Sequence, residues 1–188
     1  MANYAALLRG VNVGGGRKVP MAEWRTLLEG LGHTDVRTYL NSGNAVFASG
    51  AGADPDVLAA GISHALAGHF GFPVDVLVRT AAELQAVIDQ CPFPADELEP
   101  KQLHVTYFDR PVGPERFGSL DLDAFRPEEC RLGERVLYLY APDGLGRSKL
   151  AEALSKPALQ KGVVATSRNW NTVRKLAELT GGGGPAAG

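Results

Sequence analysis

The chain has 188 residues, a formal net charge of −2, 45% hydrophobic residues and two cysteines. That is enough chain for one domain or two small joined ones, with apolar content for a real core. The near-neutral balance gives no global argument for nucleic acid or an anionic membrane, no apolar run approaches the ~18 residues of a membrane span, and no basic-then-apolar secretory leader opens the sequence. Cys91 and Cys130 make no CxxC or other close ligand pair, so a disulfide framework or zinc site is not expected, and the thiols suit a reducing cytoplasm.

In chain order, "NYAALLRG" suits a short central strand, and "VNVGGGRK" follows as a glycine-rich corner. Pro20 opens a helix whose apolar positions are Met21, Trp24, Leu27, Leu28 and Leu31, and Gly32 stops it. "DVRTYL" and "NAVFAS" form a hairpin through "NSG". Asp54-Pro55 caps a second helix, "PVDVLVR" is a strand, and "TAAELQAVIDQC" is a helix opened by a Thr80/Glu83 capping box. The order then repeats. "QLHVTYF" is a strand, "GPERFGSL" a short helical piece, and "ECRLGERVLYLYA" a hairpin turning at Gly133. "GRSKLAEALSKPAL" is a helix broken by Pro157, "GVVAT" a strand and "NWNTVRKLAEL" the last helix.

This pattern predicts an α+β protein of two ferredoxin-like (βαββαβ-type) subdomains, residues 1–92 and 93–180, with a disordered tail over 181–188. The proline-rich, acidic "CPFPADELEP" marks the division. Charge is uneven: eleven acids and four bases between Ala81 and Glu129, seven bases and two acids from Gly144 onward.

The topology carries a geometric expectation. The first and second strands run parallel with the third between them, so Arg9, Asn12, Gly14, Gly15, Gly16 and Lys18 should lie beside the hairpin carrying Ser42 and Asn44. In the second half the same logic brings Ser148 and Lys149 of "GLGRSK" beside Arg168, Asn169 and Asn171 of "TSRNWN".

"YAALLRGVNVGG…KV", "TYLNSGNAVF", "GRSKL" and "ATSRNWNTVRKL", read together, resemble the uncharacterised bacterial family called domain of unknown function 1697. The resemblance runs from about Tyr4 to Leu179 and implies a two-subdomain α+β protein, with no activity or catalytic residues attached. "NSGN" and "TSRN" stand where relatives often carry "QSGN" and "TTRN".

Familiar chemistries are missing. Gly10 and Gly15 have P-loop spacing, but Gly16-Arg17 replaces the Lys-Ser/Thr pair, and GxGxxG is absent. No S-x-x-K or G-x-S-x-G surrounds Ser42 or Ser148, and no paired acids suggest acid–base work, so no catalytic residue is assigned. The histidines are scattered, and no metal or cofactor is expected. The leading expectation is a small anionic ligand, phosphate-bearing or nucleotide-like, bound between or at the edges of the subdomains by the thirteen residues named above. The alternatives are an RNA-binding or self-associating module using exposed strand aromatics, above all Tyr138 and Tyr140, or polar motifs that only cement the halves.

Overall fold

The computed structural model describes residues 1–181; the expected disordered tail lies outside the described residues from 182 on. It is a mixed α+β structure with two four-stranded antiparallel sheets and six α-helices among the described residues. Two compact units divide the chain. The first is Met1–Gln85 together with the stretch beginning at Lys175, and the second is Ala86–Arg174. The divisions fall inside two helices, away from the 92/93 boundary read from the sequence.

The first unit holds β1 (Ala2–Leu8), α1 (Met21–Gly30), β2 (Thr34–Tyr39), β3 (Asn44–Ser49), α2 (Pro55–Phe70) and β4 (Val76–Thr80). Its sheet order is β2-β3-β1-β4. β1 is central and antiparallel to both neighbours, so Leu7 lies opposite Asn44 on one side and Leu77 on the other. Local signals set the helix ends. Pro20 precedes α1, the Asp54 side chain accepts from the Asp56 amide before α2, and Gly71 closes α2 in the left-handed conformation. Trp24 and Leu28 of α1 and Ile62 and Leu66 of α2 pack on Tyr4, Ala6, Leu8, Phe47 and Val78 of the sheet. Burial of each such large side chain contributes about 1.5–3 kcal/mol.

The second unit holds β5 (Leu103–Phe108), β6 (Glu129–Gly133), β7 (Val136–Tyr140) and β8 (Ala165–Asn169), in the order β6-β7-β5-β8. β5 takes the central place, with Tyr107 opposite Val136 and Thr166. The helical cover is lighter: α4 (Lys149–Leu154) and α5 (Pro157–Gln160), separated at Pro157, place Leu150, Leu154 and Leu159 on Phe108, Leu137 and Leu139. The remaining helices, α3 (Ala81–Asp89) and α6 (Trp170–Thr180), each carry residues of both units. Thr80 and Glu83 form the reciprocal capping box of α3, the Thr80 amide donating to Glu83 and the Glu83 amide to Thr80 Oγ1.

One strand differs from the sequence expectation. "GVVAT" suggested a strand ending at Thr166, with Arg168 at the start of the last helix. The strand instead runs from Ala165 through Asn169. Pairing with β5 extends it, Thr166 and Arg168 turn inward, and Asn169 becomes the cap, its Oδ1 accepting from the Thr172 amide at 3.0 Å.

Gly43 at the β2–β3 turn is fixed by sterics as well as conformation. Its φ is +87°, and a Cβ there would stand 2.8 Å from both Leu8 Cβ and Val11 Cγ2. Gly15, at φ +81°, faces open space. Gly43→Ala should therefore cost about 2–3 kcal/mol, and Gly15→Ala about 1 kcal/mol. Urea unfolding of the two variants checks the difference.

Candidate functional site

The glycine corner and the asparagine hairpin of the first unit meet. The Leu8 amide donates to the Gly43 carbonyl at 2.8 Å, which seats the end of β1 on the turn. Asn12, in the left-handed region at φ +57°, uses its whole side chain as a clamp. Its Oδ1 accepts from the Val19 amide at 2.9 Å, and its Nδ2 donates to the carbonyls of Val19 at 3.0 Å and Asn41 at 2.8 Å. The Asn12 amide also donates to the Arg17 carbonyl at 3.1 Å, closing the loop on itself. Asn44, fully buried, donates from Nδ2 to the Tyr39 carbonyl and to Ser42 Oγ, both at 3.0 Å. Asn12 and Asn44 thus build the corner from within.

The closed loop presents Gly14, Gly15 and Gly16 exposed, followed by exposed Arg17 and Lys18. Gly14 and Gly15 have positive φ, as does Arg17 at +44°, a conformation costly for a side-chain-bearing residue. Among the described residues, the Arg17 and Lys18 side chains have no ion-pair or hydrogen-bond partner. Arg9 is differently placed. Half-exposed, it pairs with Asp75 at 3.4 Å, and its amide donates to the Asp75 carbonyl at 3.0 Å. An exposed pair of this kind is worth about 0–1 kcal/mol. Sequence reasoning left Arg17 and Asp75 out. Arg17 stood beside Lys18 in plain view, and Asp75 was signalled only by its polar place in the alternation of "PVDVLVR".

In the second unit the strand ends converge and the side chains part. Leu103 lies opposite Tyr140 and His104 opposite Asn169, so the ends of β7 and β8 flank the start of β5. Ser148 faces the layer of α4. Its hydroxyl donates to a Glu128 carboxylate oxygen and accepts from the Ala151 amide at 2.9 Å, and the Lys149 amide donates to the same carboxylate at 3.2 Å. Arg168, opposite Val105, turns to the other face of the sheet. It is 6% exposed, and its Nη1 donates to Thr166 Oγ1 at 2.6 Å and to the Ser167 carbonyl at 2.9 Å. Burial pulls the guanidinium down to about 10, against an opposing effect from Tyr107, so it stays charged at neutral pH. Asn169 caps α6, and Asn171 is exposed on its first turn.

The strand aromatics are mostly interior. Tyr4, Phe47, Tyr107, Phe108 and Tyr138 are buried, and Tyr39 and Tyr140 half-buried. The Tyr138 hydroxyl donates to the Val87 carbonyl at 2.6 Å, and burial, followed by the neighbouring Cys91, pushes its pKa up to about 12. Among the described residues, no group of three or more His, Cys, Asp or Glu is arranged to hold a metal, and no helix is long and apolar enough to cross a membrane.

These features define an α+β protein whose polar corner is assembled by its own hydrogen bonds. The sequence pattern of the family described as "Protein of unknown function (DUF1697)" matches residues 1–138, and the chain belongs to that family. A conserved bacterial protein, SP0830 from Streptococcus pneumoniae, has a similar structure, with a TM-score of 0.74, 24% identity, and coverage of 95% of this chain and 98% of that one. At that identity the likeness shows the fold alone. No curated protein matches the chain.

Two outcomes follow from this geometry. Asn12→Ala removes three hydrogen bonds and should cost roughly 2–3 kcal/mol. Asn12→Gly loses the same bonds but suits the left-handed backbone and should recover about 1 kcal/mol, measurable by denaturant unfolding. The second outcome concerns His104, buried with no partner for Nδ1 among the described residues. Burial lowers its pKa from 6.5. The unfolded chain then binds the proton more tightly, so this contribution to stability is complete above about pH 6.5 and is lost as pH falls toward the lowered folded value. His33, lowered by its own burial, acts in the same direction. The drop in unfolding free energy between about pH 7.5 and pH 5.5 should be smaller in His104→Gln than in the parent protein.

Proposed function

We propose that this protein binds a small phosphate-bearing anion at the glycine corner of its first unit. The observation that carries the reading is the closed loop itself. Asn12 ties it to the hairpin, and it presents three glycine backbones and two cations that are not spent on an internal partner. Consecutive backbone N–H groups in turns with positive φ form anion-binding concavities, and small, exposed glycines let an oxyanion approach them. In this reading Gly14, Gly15 and Gly16 donate from their backbones, and Lys18 and Arg17 supply charge. Ser42 lends a hydroxyl from the adjoining turn, while Asn12 and Asn44 position the corner. Arg9 contributes less, because Asp75 already neutralises it. Ser148, Lys149, Arg168, Asn169 and Asn171 have no part in it.

The reading includes the fold. Each unit is taken as ferredoxin-like, the second repeating the first. The identical strand orders support this, as does the matching register in which Leu7 and Tyr107 occupy the same central place. Such a fold brings the end of its first strand beside the turn between its second and third. RNA binding is less well supported, because the strand aromatics needed for stacking are mostly buried.

Titration of the ¹⁵N-labelled protein with inorganic pyrophosphate at constant ionic strength tests the site. The amides of Gly14, Gly15 and Gly16 should shift and saturate. Arg17→Ala/Lys18→Ala should weaken binding by about tenfold or more without changing the melting temperature. Shifts that merely follow added sodium chloride would remove the reading.

A further inference from the structure

A cavity of about 480 Å³ lies within the second unit, remote in sequence from the glycine corner and independent of the anion reading. It falls within the ~300–1,000 Å³ range of small-molecule sites. Ile88 of α3, Cys91, Phe93 and Trp170 of α6 form its apolar wall. Its charged lining has both signs: Asp96 and Glu97 from the short turn after α3, and Arg174, one turn along α6 from Trp170.

These charges are not spent on one another. Among the described residues, the side chains of Asp96, Glu97 and Arg174 make no ion pair or hydrogen bond. The apolar wall, by contrast, is held firmly. The Cys91 thiol donates to the Phe93 carbonyl at 3.7 Å, and burial, offset in part by that contact, raises its pKa. Phe93 lies 6.0 Å from the Tyr140 ring, with the Arg131 guanidinium 5.9 Å from its centroid. Trp170 is 4% exposed. The two oppositely charged blocks noted in the sequence therefore contribute to one concave surface, the acids from the Ala81–Glu129 block and the arginine from the basic C-terminal block.

The geometry points to this cavity as a binding site for a small zwitterion with an apolar body, the chemistry shared by a free α-amino acid and a dipeptide with a large apolar side chain. Arg174 receives the carboxylate, with two guanidinium N–H groups suited to a planar oxyanion. Asp96 and Glu97 receive the ammonium group. The apolar side chain lies against Ile88, Phe93 and Trp170, where an aromatic ring gains offset or edge contacts. A simple anion would meet the two acids and a simple cation would meet the arginine. Only a ligand bearing both charges satisfies the whole lining.

Isothermal titration of the intact protein with L-phenylalanine and with L-leucyl-L-phenylalanine tests the assignment and distinguishes the two sources by which binds more tightly. At least one should bind with a Kd below about 1 mM. Its N-acetyl and carboxamide derivatives should each bind about tenfold or more weakly, as should the parent ligand to Arg174→Ala, an exposed substitution. The emission of Trp170, isolated in Trp24→Phe, should shift on saturation, and the calorimetry stands without this variant should it fail to fold. Absence of binding by both zwitterions would overturn the proposal. So would equal binding of the N-acetyl derivative, since the acids would then not read the ammonium group.

Discussion

The side chain of Asn12 is the constraint on which the first unit's polar corner depends. One amide group holds both the amide and carbonyl of Val19 and the carbonyl of Asn41, so a loop that would otherwise wander over the end of the sheet is fastened at two places. Gly43 makes the same junction possible from the other side, because the chain at Leu8 and Val11 leaves no room there for a Cβ. With the loop closed, Val19 enters the core, and α1 begins directly after Pro20 with Trp24 already over the sheet. The entropy of the glycine run is thus restrained without filling its surface, which leaves its backbone facing solvent.

Topology makes some of this legible in the sequence. The short apolar run in "NYAALLRG", and "NSG" between "DVRTYL" and "NAVFAS", indicate which strand ends share a rim, and from there the meeting of corner and hairpin follows. Cap chemistry is equally readable, because Thr80 and Asp54 act on amides two or three residues away. The strand over Ala165–Asn169 was harder. Its inward positions are a threonine and an arginine, so no apolar alternation marks it, and only pairing with β5 turns Arg168 inward. The cavity of the second unit was out of reach for a related reason. Asp96 and Arg174 lie far apart in sequence, and their shared lining depends on where two helices run in space.

Polar residues divide by whether the fold consumes their hydrogen-bonding capacity. Asn12, Asn44, Ser148 and Asn169 are occupied by backbone or side-chain partners close at hand, and Arg168 holds Thr166 and Ser167 on its own strand. Their spacing in the sequence reflects caps and clamps. Arg17 and Lys18, and likewise Asp96, Glu97 and Arg174, are of the other kind. Exposed charge is cheap to leave solvated, so such residues carry meaning only where the surrounding backbone or an apolar wall gives them a shape to read.

The chain leaves the first unit within α3 and returns to it within α6, where Asn3 Nδ2 donates to the Thr180 carbonyl at 3.2 Å. During synthesis the early strands emerge long before the helical turn that joins them, and everything from Ala86 to Arg174 is made in between. The later-made unit has all its residues in one continuous run. The buried core of the earlier-made one, Tyr4 to Val78, is already synthesised by then, so only its tie to Thr180 waits for the last helix to leave the ribosome.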